Sequence, residues 1–267
     1  MTLLRVEGLT IAFGGLSAID NLSFEIPDGG IFSIIGPNGA GKTTLFNIVS
    51  GLYRPSRGRI IFDGRDVASC RSHELARRGL SRTFQNLQIF FRMSVLENVM
   101  VGRHLHEHRG VFAHLLNLPS VRRQNRVSAE KARALLDFVG LEADADKTAG
   151  SLPYGALKRL EIARALASEP RLLLLDEPAA GCNAVETEEI DGLIQHVATD
   201  GVTVVLVEHD MKLVMKISDR ILVLDRGRKL AEGSADEVRH NPEVIKAYLG
   251  SQGQRELAEH EARDVAH

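Results

Sequence analysis

The amino-acid sequence predicts an α/β fold built on a mostly parallel sheet, with an N-terminal antiparallel β part and an inserted helical subdomain. Short apolar runs, of the kind that is buried in parallel sheets, alternate with helical segments towards both ends of the chain. A glycine-rich turn near residue 36 joins one such run to a helix. Between residues 86 and 167, strand-like runs give way to helix-capping signals. We therefore expect one domain at 1–250, with its core at 1–85 and 168–250.

The predicted strands are apolar runs that end at turn residues. Gly14 and Gly15 separate the first two strands, and Arg226 with Gly227 is typical of a two-residue hairpin turn. The strands before the helical subdomain are 3–13, 22–26, 31–35, 58–62 and 81–84, and those after it are 172–175, 202–207, 221–225 and 228–231.

The predicted helices are recognised by their start and stop signals. Ser94 with Glu97 forms a capping box, Ser128 is predicted to cap a later helix, and Pro242 is suited to a first helical position. The predicted helices are 73–78, one from Ser94, 128–139, 155–167, 185–198, 211–217, one from Ser234 and one from Pro242. Residues 251–267 are polar and charge-rich, which predicts a loose tail.

Composition excludes several classes of function. The chain has 267 residues, of which 44% are hydrophobic, and its formal net charge is −2, which gives no reason to expect nucleic acid as a partner. Cys70 and Cys182 lack paired spacing and favour neither a disulfide framework nor a zinc site. The N-terminus does not resemble a signal peptide, and no apolar run approaches the ~20 residues of a membrane span.

Residues 36–43 have the spacing G-x-x-x-x-G-K-[ST] of a phosphate-binding P-loop. Glycines let backbone N–H groups approach an anion, Lys42 brings a positive charge to the β- and γ-phosphates, and the Thr43 hydroxyl suits Mg²⁺. The alternative is an ordinary glycine-rich turn, but the apolar strand before the loop and the helix after it favour the P-loop. The residues predicted to bind nucleotide here are Gly36, Asn38, Gly39, Ala40, Gly41, Lys42, Thr43 and Thr44.

A pair of carboxylates follows the apolar strand at 172–175. Asp176 and Glu177 have the Walker B arrangement, in which Asp176 holds Mg²⁺ and Glu177 polarises the attacking water. The alternative is a surface pair at a strand end. The P-loop in the same strand–helix pattern favours the catalytic interpretation.

The order of these landmarks along the chain resembles the ATP-binding cassette (ABC) ATPases. After the P-loop come Gln85 at a strand end, the segment Leu152-Pro153-Tyr154-Gly155, the Asp176-Glu177 pair, and His209 after a strand. The amino-acid sequence around these landmarks is similar to that of one branch of the family, the ATPases of branched-chain amino acid importers. The similar stretches are residues 81–86, 160–166, 176–181, 208–215 and 241–250, and the long segment at 102–127 also fits that branch.

The resemblance implies a role for each matching residue. Phe13 matches the aromatic that stacks on adenine, although it could instead be a core phenylalanine on an edge strand. Gln85 matches the glutamine that meets Mg²⁺ and the lytic water, and His209 matches the switch histidine at the γ-phosphate. Leu152 and Gly155 match the signature loop, which completes the ATP site of a second ATPase chain. The implied ligands are ATP and Mg²⁺.

Two motifs depart from the family pattern. The signature loop of the family reads Leu-Ser-Gly-Gly-Gln, but this chain has Pro153 in place of the serine and Ala156 in place of the glutamine. Proline also removes a backbone N–H. The D-loop at 181–183 lacks the usual aspartate. ATP binding is still expected despite these departures. The rate of hydrolysis at the site that this signature loop completes is the property that they put in question.

Two further stretches have open interpretations. Ile89, Phe90, Phe91 and Met93 follow the Gln85 motif and could line a groove for a partner helix, pack into the helical subdomain, or do both. The alternating histidines His104, His106 and His108, with His114 nearby, could bind metal, but a solvated segment is favoured.

The resemblance implies an ATPase subunit that energises uptake of branched-chain or related hydrophobic amino acids. Its implied partners are membrane permease subunits, a second ATPase chain in a homo- or heterodimer, and, indirectly, a periplasmic or extracellular solute-binding protein. Its implied location is the cytoplasmic face of the cell membrane. The alternatives are an export ATPase for lipid or lipopolysaccharide, and an ATP-gated clamp with little turnover.

Overall fold

The structure, a computed structural model, describes residues 1–106 and 119–248. His108, His114 and the predicted tail at 251–267 lie outside the described residues. The chain divides into two compact units, one formed by Met1–Arg71 with the residues from Val205 onward, and the other by Ser72–Val204. The predicted subdivision at residues 86 and 167 remains a prediction.

The first unit contains the predicted antiparallel β part. Its 4-stranded sheet has the order β2-β1-β4-β5. The strands are β1 (Thr2–Phe13), β2 (Leu16–Pro27), β4 (Arg57–Phe62) and β5 (Arg65–Asp66). Strand β2 begins before the predicted residue 22. The polar pair Asp20 and Asn21 hides this in the sequence, because it separates Ile19, which belongs to the strand, from the apolar residues that follow. Asn21 has a φ of 50°, and the pairing register of β1 and β2 shifts beside it.

A mostly parallel set of strands completes the first unit, as predicted. In sheet order these are β10 (Arg228–Gly233), β9 (Arg220–Asp225), β3 (Ile31–Ile35) and β8 (Thr203–Val207), whose first two residues belong to the second unit. Strands β3 and β9 are parallel, and all five residues of β3 are buried. Arg226 and Gly227 have φ angles of 46° and 76°, as a type I′ hairpin turn requires.

The helices of the first unit lie where the sequence predicts them. They are α1 (Lys42–Val49), α7 (Met211–Ile217) and α8 (Ala235–Arg239), and residues 242–248 are also helical. Ser234 forms the predicted capping box with Glu237. Asn241 accepts a hydrogen bond of 2.9 Å from the Glu243 backbone, so Pro242 occupies the first helical position.

The second unit combines two parallel strands with five described helices. The strands are β6 (Leu80–Arg82) and β7 (Leu172–Asp176). The helices are α2 (Ser72–Ala76), α3 (Val95–Gly102), α4 (Pro119–Phe138), α5 (Tyr154–Leu166) and α6 (Ala184–Thr199), with 3₁₀ turns at Arg103–His106, Glu142–Asp144 and Ala149–Ser151. Over the described parts of the chain, no helix has the length and apolar character needed to span a membrane.

The predicted cap at Ser128 is wrong. Ser128 lies inside α4 and is buried, because it continues the apolar stripe formed by Val121, Ala132 and Leu136 at helical spacing. The capping box at Ser94 is confirmed, since its side chain accepts from the Glu97 backbone N–H at 3.1 Å.

Glu169 links several elements of the second unit. Its carboxylate accepts from Lys131 at 2.7 Å and from Arg103 at 3.1 Å. These hydrogen bonds, the one from Lys131 foremost, lower the pKa of Glu169 from 4.5 to about 2. Arg103 lies in the 3₁₀ turn after α3 and Lys131 lies on α4, so one carboxylate holds both elements to the segment before β7.

We expect the Glu169 carboxylate to make the free energy of unfolding depend on pH in the acid range. Because the pKa of Glu169 is lower in the folded state, its stabilisation is complete above about pH 5 and is lost as the pH falls from 4.5 towards 2. The side chain is 48% exposed, so solvent screening limits its contribution to about 1 kcal/mol. Urea unfolding of wild type and Glu169→Gln should differ by that amount at pH 7 and converge near pH 2. A difference that does not change with pH would contradict the assignment.

Candidate active site

The P-loop lies in the first unit between the buried strand β3 and helix α1. Gly39 and Gly41 have φ angles of 80° and 102°, in the left-handed region that glycine adopts without strain. A Cβ added at Gly36 would lie 2.2 Å from the carbonyl oxygen of Leu224 on β9. The loop therefore needs glycine for its conformation at 39 and 41, and for close backbone approach at 36.

Lys42 is held against the backbone of this loop. Its side chain is buried, and its Nζ donates to the carbonyl oxygens of Gly36 at 2.6 Å and Pro37 at 3.2 Å. Helix α1 begins at Lys42, and an α-helix leaves its first N–H groups without intrahelical acceptors. A cation beside such N–H groups fits a phosphate. Thr43 is exposed, and its hydroxyl oxygen is a hard ligand of the kind that Mg²⁺ prefers.

Phe13 ends β1 and is exposed to 47%. An exposed aromatic ring can stack on a base, and this exposure excludes the alternative of a core phenylalanine. Its ring makes an edge-to-face contact of 5.5 Å with Tyr53, which is also exposed. The sequence interpretation did not identify Tyr53, because a single tyrosine after a helix has no motif.

His209 lies between the end of β8 and the first turn of α7. It is exposed, and its backbone N–H donates to Glu208 Oε2 at 3.1 Å. The next residue, Asp210, caps α7 by accepting from the backbone N–H groups of Lys212 and Leu213. The end of β8 and the cap of α7 therefore fix the backbone conformation on both sides of His209, whose imidazole is exposed.

Asp176 ends the buried strand β7 of the second unit. Its carboxylate lies 3.2 Å from Arg82 Nη2, and both side chains are at least nine-tenths buried. The Asp176 backbone N–H also donates to Thr83 Oγ1 at 3.3 Å. Burial lowers the pKa of Arg82, and the Asp176 charge partly opposes this effect. A buried, oriented carboxylate fits a Mg²⁺ ligand, and Arg82 is its positioning partner, which the motifs alone did not reveal.

Glu177 and Gln85 are brought together within the second unit. Gln85 Nε2 donates to Glu177 Oε2 at 3.4 Å. Glu177 has a φ of 50°, a left-handed conformation that is strained for a residue with a side chain and is enriched at functional sites. The structure therefore brings two of the predicted catalytic residues within hydrogen-bond distance, and their catalytic roles stay predictions.

The signature segment begins α5 in the same unit. Leu152 and Gly155 are buried, and Pro153 is the helix N-cap without a side-chain cap hydrogen bond. The Gly155 N–H donates to Glu186 Oε1 at 3.2 Å, and Tyr154 OH donates to the Ala180 carbonyl at 3.2 Å. The segment is thus tied to the residue before the D-loop and to the start of α6.

Asn183 takes over the capping function at the D-loop. Its side-chain oxygen accepts from the backbone N–H groups of Val185 at 3.0 Å and Glu186 at 3.1 Å. The Asn183 N–H donates to Glu186 Oε2 at 3.0 Å, so the Glu186 carboxylate joins the α6 cap to Gly155. An aspartate could accept the same two N–H groups, so its absence does not disturb this cap.

Side chains from two helices hold the backbone of the loop after Gln85. Asn98 of α3 accepts from the Phe90 N–H at 2.9 Å and donates to the Phe90 carbonyl at 3.1 Å. Glu161 of α5 accepts from the Gln88 N–H at 3.4 Å, and Arg164 donates to the Gln88 carbonyl. Burial raises the pKa of Glu161.

The side chains of this loop point in different directions. Ile89 is buried, whereas Phe90 and Phe91 are exposed to 47% and 48%. This distribution agrees with the expectation that the stretch both packs inward and offers apolar surface outward.

The histidine segment offers no metal site in the described chain. His104 Nδ1 lies 3.1 Å from the Val101 carbonyl, and His106 Nε2 lies 3.1 Å from the Ser168 carbonyl. Residues 1–106 and 119–248 contain no group of three or more His, Cys, Asp or Glu side chains that could hold a metal ion. His108 and His114 lie outside these ranges.

Two family models match the chain. The ABC transporter model matches residues 19–180, which include the P-loop and the Asp176-Glu177 pair. A model described as branched-chain amino acid ATP-binding cassette transporter matches residues 228–253.

Known proteins resemble the chain over most of its length. The high-affinity branched-chain amino acid transport ATP-binding protein BraF of Pseudomonas aeruginosa is 46% identical over 93% of this chain and 98% of its own. An ATP-binding cassette of an ABC transporter in its ADP conformation has a TM-score of 0.82 and 32% identity, over 94% of this chain and 99% of its own. A dimeric ATP-binding cassette bound to ADP and phosphate has a TM-score of 0.72 and 26% identity, over 87% of this chain and 98% of its own.

Proposed function

Because this chain belongs to the ABC transporter family, we propose that it is the ATP-binding and hydrolysing subunit of an importer for branched-chain or related hydrophobic amino acids. The observation that carries the ATPase part is the P-loop, where Lys42 donates to the carbonyl oxygens of the glycine-rich loop and α1 begins at the same residue. The cargo rests on the relative's function and on the branched-chain family model at 228–253. Both favour import over the export of lipid or lipopolysaccharide.

We assign the hydrolytic roles to three polar side chains. Glu177 polarises the attacking water, Gln85 orients Glu177 through their hydrogen bond, and His209 contacts the γ-phosphate. Catalysis then consists mainly of positioning and of electrostatic stabilisation of the γ-phosphoryl group during in-line attack.

Nucleotide and metal have their own assigned ligands. The residues assigned to ATP are Phe13, Gly36, Asn38, Gly39, Ala40, Gly41, Lys42, Thr43 and Thr44. The residues assigned to Mg²⁺ are Thr43, Gln85 and Asp176. When bound, this ion neutralises negative charge on the phosphates. The ion pair with Arg82 holds the Asp176 carboxylate in one orientation.

We assign the signature residues Leu152 and Gly155 to the nucleotide of a second ATPase chain. A dimeric cassette among the similar structures supports this arrangement. Pro153 is the N-cap of α5, and its side chain has no group that could donate a hydrogen bond to a phosphate. We therefore propose unequal sites in a heterodimer, with the faster one formed by this chain's P-loop and the partner's signature loop.

The remaining partners belong to the membrane. We propose that permease subunits hold the chain at the cytoplasmic face of the cell membrane and that a solute-binding protein delivers the cargo to them. The exposed Phe90 and Phe91 are the surface we assign to permease contact, because exposed aromatic side chains on a held backbone suit an apolar partner helix.

Co-purification from native membranes followed by reconstitution tests the proposed function. We expect permease subunits and an amino-acid-binding protein to accompany the chain, and proteoliposomes made with them to take up leucine only with ATP. Transfer of lipid or lipopolysaccharide without amino-acid uptake would contradict the proposal and favour the export alternative.

A further inference from the structure

Tyr154 stands in the signature loop at a position where the family pattern has glycine. It is the first residue of α5 and directly precedes Gly155. Its phenol donates to the carbonyl oxygen of Ala180 at 3.2 Å, and Ala180 lies in the turn that follows Glu177. These residues all belong to the second unit. The altered signature residue therefore contacts the turn that begins at the predicted catalytic carboxylate.

The ring of Tyr154 packs on the backbone of the same turn. A Cβ added at Gly181 would lie 3.1 Å from Cε1 of this ring, which is tighter than an ordinary van der Waals contact. Gly181 also has a φ of 82°, in the left-handed region that glycine adopts without strain. Glycine at 181 thus lets the ring lie against the chain while the hydroxyl reaches the preceding carbonyl. Tyr154 contacts the turn through both its ring and its oxygen.

Lys158 lies one helical turn after Tyr154 on the same face of α5. Lys158 is only 2% exposed. Its Nζ lies 3.5 Å from the Glu177 carbonyl oxygen and 5.8 Å from the centre of the Tyr154 ring, a distance at which a cation is attracted to an aromatic face. The Glu177 carbonyl also accepts from the Ala180 N–H at 3.1 Å, which closes the turn. Tyr154 and Lys158 therefore contact the two ends of the turn at 177–180.

The conformation at the start of this turn explains why such contacts matter. Glu177 has a φ of 50°, which is strained for a residue with a side chain and persists only where the surrounding structure holds it. The Glu177 carboxylate accepts from Gln85 at 3.4 Å. A rotation of the backbone at Glu177 would turn the carboxylate away from Gln85 and from the water that it polarises. Contacts that fix the turn therefore fix the direction of the carboxylate.

We propose that Tyr154 is a positioning residue for Glu177, and that it acts through the turn at 177–180. The inference rests on the proposed function, because it assumes that Glu177 polarises the attacking water. The glycine of the family pattern has no side chain that could make either contact. The effect of Tyr154 falls on the hydrolysis of this chain's own nucleotide, whereas the signature loop completes the ATP site of the second chain.

Steady-state ATP hydrolysis by the assembled transporter tests the inference. Tyr154→Phe keeps the ring and removes the hydroxyl that donates to Ala180. Thr199→Val is the matched control, because it also removes an exposed hydroxyl that donates to a backbone carbonyl, that of Gln195 at 2.9 Å. Rates are divided by the amount of ATP that each preparation binds, so that a misfolded fraction does not lower kcat. We expect Tyr154→Phe to lower kcat at least 3-fold with the KM for ATP changed less than 2-fold, and Thr199→Val to change neither.

A double variant shows whether Tyr154 acts through Glu177. Glu177→Gln already lacks the carboxylate, so we expect Tyr154→Phe to cause no further loss of rate in that background. A merely structural role, or a contact with the nucleotide of the second chain, would lower the rate by the same factor in both backgrounds, and this result would overturn the inference.

The remaining outcomes separate the inference from the proposed function. An unchanged kcat in Tyr154→Phe, or a loss of equal size in Thr199→Val, would overturn the inference and leave the proposed function intact. Failure of the wild-type transporter to hydrolyse ATP would overturn the proposed function, and the inference with it.

Discussion

Glu177→Gln is expected to reduce steady-state ATP hydrolysis by the assembled transporter about 100-fold or more, the usual contribution of a positioned general base. The substitution keeps the size of the side chain, and an amide oxygen can still accept the hydrogen bond from Gln85, which is 3.4 Å long in the wild type. It removes the carboxylate that polarises water. Nucleotide affinity should therefore be retained while turnover is lost.

The measurement compares phosphate release with ATP binding in the same preparation. Glu188→Gln is the matched control, because it makes the same chemical change at an exposed position of α6. The ATP-gated clamp makes the opposite prediction. Tight binding with little turnover in the wild type, unchanged by Glu177→Gln, would favour the clamp and contradict the proposed ATPase.

Lys42→Ala is expected to weaken ATP binding by about 10- to 100-fold, because hydrogen bonds from a charged group contribute about 1.5–3 kcal/mol. The variant also loses the two hydrogen bonds from Nζ to the carbonyls of Gly36 and Pro37. Lys246→Ala removes an exposed lysine from the last described helical segment and serves as the control. Titration with fluorescent ATP measures the effect directly.

The same variant tests whether the two ATP sites of a heterodimer are unequal. Lys42→Ala in this chain disables the site that uses the partner's signature loop. The equivalent change in the partner disables the site that uses Pro153 and Gly155 of this chain. Transport and ATPase rates should fall further with the change in this chain. Equal losses from the two changes would contradict unequal sites.

Local signals were sufficient to predict most of the fold. The strand before the P-loop, the hairpin at Arg226 and Gly227 and the capping box at Ser94 depend on neighbouring residues alone, and each is present. Ser128 was misjudged because a serine fits both a helix cap and a small buried position in a helix. Only the packing of α4 against its neighbours decides between the two.

The site residues divide in a similar way. Those with fixed spacing in a motif, such as Lys42 and Glu177, were predicted. A supporting residue can be distant in the chain, as Arg82 is from the Asp176 carboxylate that it contacts. Such contacts leave no spacing rule in one sequence, because they depend on which elements become neighbours after folding.

The loop after Gln85 has one more consequence. Its path is held at Phe90 by Asn98 and at Gln88 by Glu161 and Arg164, and each of these side chains contacts backbone atoms. Backbone atoms are the same in every amino acid except proline. The hydrogen bonds that hold the loop at these two positions therefore do not depend on which side chains stand there. Under the proposed permease contact at Phe90 and Phe91, related chains can change the membrane partner by altering these two outward-facing side chains while keeping the same hydrogen bonds beneath them.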